Sequence, residues 1–234
     1  MDRRLFLLLL FCTYSNSLDI QGVSVSRVPL RHDNPDSPYA FCATSAMALP
    51  SKTNFLATQV WPSARVASET ITRHAAAIWT VCEFGCGPGL PSLTAAKLGC
   101  KVYATDIDEF ALELVRAAAR EQKFSLLESR RFDLLSGVDG NDFEWLDDVD
   151  LFIFSDVFES ADIARGAARL VNLVLERDKA RVWVFAQSDR AQREVFLEEM
   201  NKKHQALCWQ PVDSCQMLDR LWLCDVDEIA AIYR

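Results

Sequence analysis

The sequence has few histidines, and its cysteines lack the spacings of metal and disulfide sites. Only three histidines occur in 234 residues, and they share no local pattern. None of the eight cysteines form a CxxC pair, and several lie in apolar runs, as buried free thiols do. We therefore expect no zinc site, no disulfide framework and no histidine-based catalytic triad.

Basic residues are outnumbered by acidic ones, 25 to 33, and long apolar runs are scarce. The formal net charge is −8 and the pI is about 5.0, a balance that repels the phosphates of nucleic acids, so no nucleic-acid partner is expected. The apolar run at residues 5–12 is too short to cross a bilayer, and no stable membrane span is predicted. The length and the 50% hydrophobic content fit one globular domain, which we expect to be a monomer.

The first fifty residues differ from the rest of the chain. Arg3 and Arg4 precede the apolar run, an arrangement typical of a signal peptide, and small residues follow at 15–17. Residues 18–49 show no sustained periodicity. We interpret residues 1–50 as a signal-like or targeting-like leader and linker without fixed structure. This leader indicates an organelle, such as a plastid or mitochondrion, or the secretory route; without it, the location would be cytoplasmic.

Strand-like and helix-like segments alternate over residues 51–234, which we interpret as the folded domain. Short apolar segments predict strands, and amphipathic patterns predict helices between them. The alternation predicts an α/β fold with an open, doubly wound sheet. The predicted strands are 78–84, 101–105, 124–132, 150–154 and 181–186, followed by 205–211 and 228–233 with an irregular segment between them; the predicted helices include 64–77, 161–175 and 190–202.

Acidic residues follow four successive predicted strands. In a doubly wound sheet, ligands bind beyond the carboxyl ends of the strands, so polar residues there are the first candidates for a site. An acid after one strand is ordinary capping, but four at the same expected edge indicate a binding site. These acids are Glu83, Asp106, Asp133 and Asp156.

A glycine-rich turn after the first of these strands predicts a nucleotide-like ligand. Gly85, Gly87 and Gly89 alternate before a helical pattern, which allows a tight turn and a close approach to the helix N-terminus. A dinucleotide fingerprint would have a third glycine where Leu90 stands. Glu83 suits a ligand with a positive end, such as the amino group and sulfonium of S-adenosylmethionine. Asp106 lies about twenty residues farther on, where an acid accepts from ribose hydroxyls.

Residues 59–156 resemble the class I, seven-β-strand S-adenosylmethionine-dependent methyltransferases. More narrowly, they resemble the family-16 lysine methyltransferases, which include an electron-transfer flavoprotein β-subunit lysine methyltransferase. The resemblance implies a Rossmann-like, mostly parallel seven-stranded sheet in a single domain. It is carried by the segments VWPSA (60–64), CEFGCGPGL (82–90), YATDID (103–108), FDLL (132–135) and FSDVF (154–158).

The resemblance also implies which residues form the site. We expect Asp156 to orient the incoming amine, Glu159 to meet the charge of the substrate, and Trp61 to cover part of the cofactor. Cys86 fits the glycine loop as a small residue and not as a nucleophile. The residues expected to bind the cofactor are Trp61, Glu83, Gly85, Cys86, Gly87, Gly89, Asp106, Ile107, Asp133, Leu134 and Ser155.

One departure from the family pattern concerns the methyl acceptor. The family usually has Asp-x-x-Tyr after the fourth strand, whereas this chain has Asp156 and Glu159 with Phe158 between them. An acid replaces the aromatic residue of the target-amine channel, or the aromatic is shifted to Phe158. The leading hypothesis is transfer of a methyl group to a lysine of a protein substrate. The alternatives are methylation of a small-molecule amine, a catalytically silent S-adenosylmethionine-binding module, and, more distantly, a NAD-dependent oxidoreductase.

Overall fold

The computed structural model describes residues 18–75, 79–136, 144–204, 207–212 and 220–226. The described chain begins with an antiparallel sheet of three strands, which lie side by side in chain order. Val23 and Val25 point into the core while Ser24 and Ser26 face solvent, which is the alternation of a half-buried strand. The strands are β1 (Leu18–Ile20), β2 (Val23–Pro29) and β3 (Tyr39–Ala43).

This small sheet corrects the expectation that residues 1–50 lack fixed structure. The side chain of Phe41 is fully buried, in one cluster with Phe110 and Leu114. Arg31 donates two hydrogen bonds, of 2.9 and 2.5 Å, to the carboxylate of Glu69. Apolar burial and this ion pair stabilise the packing of residues 18–43 on the rest of the chain. Residues 1–17, which include the signal-like run, lie outside the described residues.

The rest of the chain alternates helices and parallel strands, as predicted. Short 3-10 turns occur at Ala46–Ala48, Phe55–Thr58 and Glu144–Leu146. The helices and strands are α1 (Pro62–His74), β4 (Thr80–Phe84), α2 (Leu90–Lys97), β5 (Lys101–Asp106), α3 (Glu109–Gln122), β6 (Leu127–Arg131), β7 (Leu151–Ser155), α4 (Ala161–Leu175), β8 (Arg181–Ala186), α5 (Gln192–Met200), β9 (Gln210–Pro211) and β10 (Leu221–Asp225).

These strands form one seven-stranded sheet in the order β6-β5-β4-β7-β8-β10-β9, and each described pairing is parallel. Helices α1, α2 and α3 contribute to the cores on one face of the sheet, while α4 and α5 pack on the other. The predicted Rossmann-like α/β fold is confirmed. The chain runs outward from β4 to β6 and then returns to β7, so a crevice opens between β4 and β7.

The C-terminal strands differ from the sequence-based expectation. The described part of residues 205–211 forms only the two-residue strand β9, and β10 occupies the segment expected to be irregular. Trp222 and Cys224 pack on one face of the sheet and Leu223 on the other. A strand covered on both faces is a continuous apolar run without the alternation that usually reveals a strand. The predicted strand at residues 228–233 lies outside the described residues.

Candidate functional site

A cavity of about 1150 Å³ opens at the carboxyl edge of the sheet. Ligand pockets in proteins are typically ~300–1,000 Å³, so the cavity has room for a cofactor and part of an acceptor. The structure brings almost all the predicted site residues to its wall. Those that line it are Trp61, Glu83, Gly85, Cys86, Gly87, Asp106, Ile107, Asp133, Leu134, Ser155, Asp156 and Glu159.

Gly89 is the predicted site residue that does not line the cavity. It forms the N-cap of α2 with φ +73°, and a Cβ built there would lie 2.7 Å from Val115 Cγ2. Side chains rarely adopt this left-handed conformation, and this close packing leaves no room for one. Gly89 therefore sets the start of α2 and packs against α3 instead of lining the cavity.

The glycine loop between β4 and α2 is tightly enclosed. Gly85 and Gly87 also have positive φ, of 66° and 52°. A Cβ at Gly85 would lie 2.6 Å from Val157 Cγ1, and one at Gly87 would lie 3.1 Å from the carbonyl oxygen of Ala57. The loop backbone can therefore face the cavity directly, as it must to approach a nucleotide-like ligand closely.

Asp106, at the end of β5, holds this loop in place. One carboxylate oxygen accepts the Gly87 N–H at 2.8 Å, and the other accepts the Asp108 N–H at 2.9 Å. Burial raises the pKa of Asp106, while these two backbone N–H groups oppose the rise. Carboxylate oxygens have further lone pairs, so Asp106 can also accept from a ligand hydroxyl.

Glu83, at the end of β4, carries an oxygen without a partner. Only 1% of the residue is exposed, and its Oε2 accepts both the N–H and the O–H of Ser92, at 3.0 and 2.6 Å. Its Oε1 is buried and has no hydrogen-bond partner among the described residues. Burial raises the pKa of Glu83 to about 8. A buried, unpaired carboxylate oxygen is costly in isolation, and a ligand cation would offset that cost.

These features fit S-adenosylmethionine. The unpaired oxygen of Glu83 suits its amino group or sulfonium, and the carboxylate of Asp106 suits its ribose hydroxyls. Farther along the wall, the side chain of Ile107 is 51% exposed and offers an apolar surface for a base. Asp133 accepts the Leu135 N–H at 2.9 Å, which orders the turn after β6. The hydroxyl of Ser155 is buried without a partner among the described residues.

Asp108 serves mainly as a helix cap. Its Oδ1 accepts the N–H groups of Phe110 and Ala111 at the start of α3. Its Oδ2 accepts the N–H of Asn54 at 3.0 Å. These three bonds engage both oxygens, and they join the segment before α1 to the carboxyl edge of the sheet.

The end of the cavity at β7 and β8 is organised around Asp156, directly after β7. Asp156 has φ +60°, unusual for a residue with a side chain, and its N–H bonds the carbonyl of Phe185 at 2.9 Å. Arg190 donates to both carboxylate oxygens, from Nε at 2.8 Å and from a terminal nitrogen at 2.6 Å. The Arg190 guanidinium also lies 5.2 Å from the ring centre of Trp61, within range of a cation–π interaction.

Glu159 and Phe158, where the chain departs from the family pattern, have different surroundings. Glu159 is exposed and accepts a hydrogen bond of 3.1 Å from the side chain of Asn54. The side chain of Phe158 is 2% exposed, and its ring contacts those of Phe196 and Trp209 at centroid distances of 5.6 and 5.8 Å. Because Phe158 is held in this aromatic cluster, the partly exposed aromatic at this end of the cavity is Trp61.

The sequence analysis missed Arg190, Asn54 and Ser92. Arg190 follows β8, so it lies at a fifth strand end, but the sequence pattern placed it at the start of the predicted helix 190–202. In the structure, the N-cap of α5 is Ala191, without a side-chain cap bond. Reading polar residues at every strand end would have identified Arg190. No local signal marked Asn54 or Ser92, because their partners are distant in sequence or lie across a turn.

Among the described residues, no group of three or more His, Cys, Asp or Glu could hold a metal ion. No helix in those same segments is long and apolar enough to cross a bilayer.

Comparisons with known proteins give matches among methyltransferases. A family model described as "Lysine methyltransferase" matches residues 48–203. A ribosomal protein L11 methyltransferase of Thermoanaerobacter pseudethanolicus is 42% identical over 57 residues, which are 24% of this chain and 18% of that protein. Another, of Dechloromonas aromatica, is 32% identical over 101 residues, 43% of this chain and 32% of that protein. The chain therefore spans a third or less of these relatives.

Among solved structures, a TehB-like SAM-dependent methyltransferase from Corynebacterium glutamicum is 17% identical with a TM-score of 0.43. The match covers 61% of this chain and 73% of that one.

Proposed function

The chain belongs to the lysine methyltransferase family, and from that membership we propose that it transfers a methyl group from S-adenosylmethionine to a lysine of a protein substrate. The observation that carries the proposal is the extent of the family match, residues 48–203. That range contains each of the strand ends β4 to β8 at the cavity. The two ribosomal protein L11 methyltransferases, which are named for a protein substrate, support a protein acceptor here.

S-adenosylmethionine is the cofactor of this enzyme class, and when bound it supplies an electrophilic methyl group. At the end of the cavity formed by the glycine loop, Glu83 and Asp106, the chain would contribute binding. Asp106 would accept from the ribose, the glycine loop would bring its backbone close, and Glu83 would face the positive end. The low exposure of Glu83 excludes water from its carboxyl group, which raises its pKa to about 8 and strengthens the attraction of the ionised form for a cation.

The end of the cavity around Asp156 and Arg190, which we call the acceptor end, would position a neutral amine in line with the methyl group. Much of the rate of such a displacement comes from holding the reactants in the right geometry, so no dedicated base is required if the amine arrives deprotonated. A carboxylate oxygen of Asp156 can accept a second hydrogen bond, from the amine, while it keeps its bond from Arg190. Glu159, which is exposed, would attract the lysine before it is deprotonated.

Labelled methyl transfer tests this proposal. The protein is incubated with methyl-labelled S-adenosylmethionine and a hypomethylated cell extract, and labelled proteins are hydrolysed and analysed for methyl-lysines. We expect labelled lysine with the wild type and none with Gly87→Arg, which serves as the binding-deficient control. Label confined to small molecules would contradict the protein acceptor and support the small-molecule amine.

A second candidate is a silent cofactor-binding module. It is favoured by the ion pair that already engages both oxygens of Asp156, and by the bond between Asn54 and Glu159. Binding of S-adenosylhomocysteine without label in any acceptor would support this candidate against the enzyme.

A further inference from the structure

Arg190 and Asp156 form an ion pair inside the acceptor end of the cavity. The Asp156 side chain is 4% exposed and the Arg190 side chain 27%. Two parallel hydrogen bonds of 2.8 and 2.6 Å fix the geometry of the pair. Arg190 is further fixed by the Trp61 ring on one side and by its own N–H, which bonds the carbonyl of Gln187 at 3.2 Å. Asp156 and Trp61 thus hold the guanidinium from two different segments, and the backbone bond to Gln187 fixes the main chain of Arg190.

The charges of this end differ with depth. Glu159 and Asp189 line the cavity and are exposed, and so is Lys52, two residues before the Asn54 that bonds Glu159, so the rim is acidic on balance. Deeper in, the charge of Asp156 is balanced by Arg190. The attraction between an incoming ammonium and Asp156 is largely cancelled by its repulsion from a guanidinium within hydrogen-bond distance of the same carboxylate. The rim therefore attracts a cation, while the interior gives it little stabilisation.

The weak stabilisation of a cation in the interior matters for methyl transfer. An ammonium has no lone pair, so only the neutral amine is a nucleophile. An unpaired Asp156 would stabilise the ammonium in the position where it cannot react. A guanidinium is suited to prevent this, since it remains charged at any physiological pH and its planar fork matches a carboxylate.

We propose that Arg190 is a specificity-determining residue that neutralises Asp156, so that the inner acceptor site does not favour an ammonium over a neutral amine. The inference rests on the proposed function, since it assumes an alkylamine acceptor. It adds to it a role for a residue on the loop between β8 and α5. Arg190 acts through Asp156 and is a positioning residue, not a catalytic one.

A pair of isosteric probes tests the inference without catalysis. One is Nα-acetyl-trimethyllysine amide, a permanent cation, and the other carries a tert-butyl group in place of the trimethylammonium. Their dissociation constants are measured by ligand-observed NMR with the full chain saturated with S-adenosylhomocysteine. The wild type should bind the cation no more than about twofold more tightly than the neutral probe, because the paired charges cancel.

Variants of Arg190 sharpen the test. Arg190→Gln should bind the cation at least about fivefold more tightly than the neutral probe, because Asp156 is then unpaired. Arg190→Lys restores the charge and should restore the wild-type preference. Arg165→Gln is the matched control, because Arg165 pairs with Asp162 on the exposed face of α4 and does not line the cavity. All variants should bind S-adenosylhomocysteine as the wild type does.

Each other outcome has a definite meaning. A preference that is the same in Arg190→Gln and the wild type overturns the inference and leaves the proposed function standing. Tighter binding of both probes to Arg190→Gln would make Arg190 a steric block, which also overturns it. Binding of neither probe to any variant would count against an alkylamine acceptor, and would thus be a failure of the proposed function itself.

Discussion

The two ends of the cavity are built differently. The proposed cofactor end is formed by four adjacent strands, β6, β5, β4 and β7, and its main acids, Glu83 and Asp106, are buried. The acceptor end combines side chains from distant segments, with Trp61 before α1, Asp156 after β7 and Arg190 after β8. The sheet thus fixes the first end by its topology, while loops decide the second. A fold of this kind can keep one methyl donor while its acceptor changes.

The largest expected effect breaks the cofactor end alone. In Gly87→Arg, a side chain is forced into a left-handed conformation against the carbonyl of Ala57, so the loop must move. We expect the affinity for S-adenosylhomocysteine to fall by about 100-fold or more, roughly 3 kcal/mol. Calorimetric titration measures it. Gly22→Arg is the matched control, because Gly22 also has a positive φ but no atom of the described residues within 4 Å of its added Cβ. Equal losses in both variants would contradict the placement of the cofactor.

Asp106→Ala should have the next largest effect. It removes the acceptor of two backbone N–H bonds and the proposed partner of the ribose. Hydrogen bonds to charged groups contribute about 1.5–3 kcal/mol, so we expect a loss of about 10- to 100-fold in affinity for S-adenosylhomocysteine. The control is Asp133→Ala, which removes one local bond and should cost less. Unchanged affinity in Asp106→Ala would argue against the site.

Glu83→Gln tests the charge of the cofactor end. The pKa of Glu83 is raised to about 8, so at pH 7 the free protein holds a proton there. A cation bound beside Oε1 lowers that pKa, so binding should release close to one proton at pH 7, and affinity should rise with pH up to about 8. Calorimetric titration with S-adenosylmethionine, in two buffers of different ionisation enthalpy, measures the number of protons released.

The glutamine variant is the control for protons that come from the ligand itself. It keeps an acceptor for Ser92 but has no proton to release, and its affinity should fall by less than about tenfold. Equal proton release by the wild type and Glu83→Gln would show that Glu83 does not meet the positive end of the cofactor.

The smallest effect is expected at the acceptor rim. Glu159→Gln removes an exposed charge, and interactions of exposed charges contribute about 0.2–1 kcal/mol. We expect KM for a lysine-containing acceptor to rise by less than about fivefold, with no change in the affinity for S-adenosylhomocysteine. Steady-state kinetics at two salt concentrations measure it, because screening should reduce the difference. A change in cofactor affinity would show that the two ends are not separable.

The cofactor end could be predicted from the sequence because its signals are local. Each acid follows its own strand within a few residues, and the glycines of the loop are contiguous. A parallel sheet then brings these strand ends together without further information. The main helices and the strands from β4 to β8 were predicted for the same reason.

The remaining features depend on pairing across long distances. Val23 and Val25 alternate with polar residues, but three strands are needed before such a short pattern forms a stable sheet. Arg190 reaches Asp156 across 34 positions, and Asn54 reaches Glu159 across 105. No periodicity records such contacts, so the sequence could indicate residues of the acceptor end but not how they pair.

The most direct test of the account is a parallel calorimetric titration of the wild-type chain with S-adenosylhomocysteine and with NAD. The glycine loop, the unpaired oxygen of Glu83 and the family match all predict saturable binding of one S-adenosylhomocysteine per chain and no binding of NAD. Saturable binding of NAD without binding of S-adenosylhomocysteine would contradict the account at its centre.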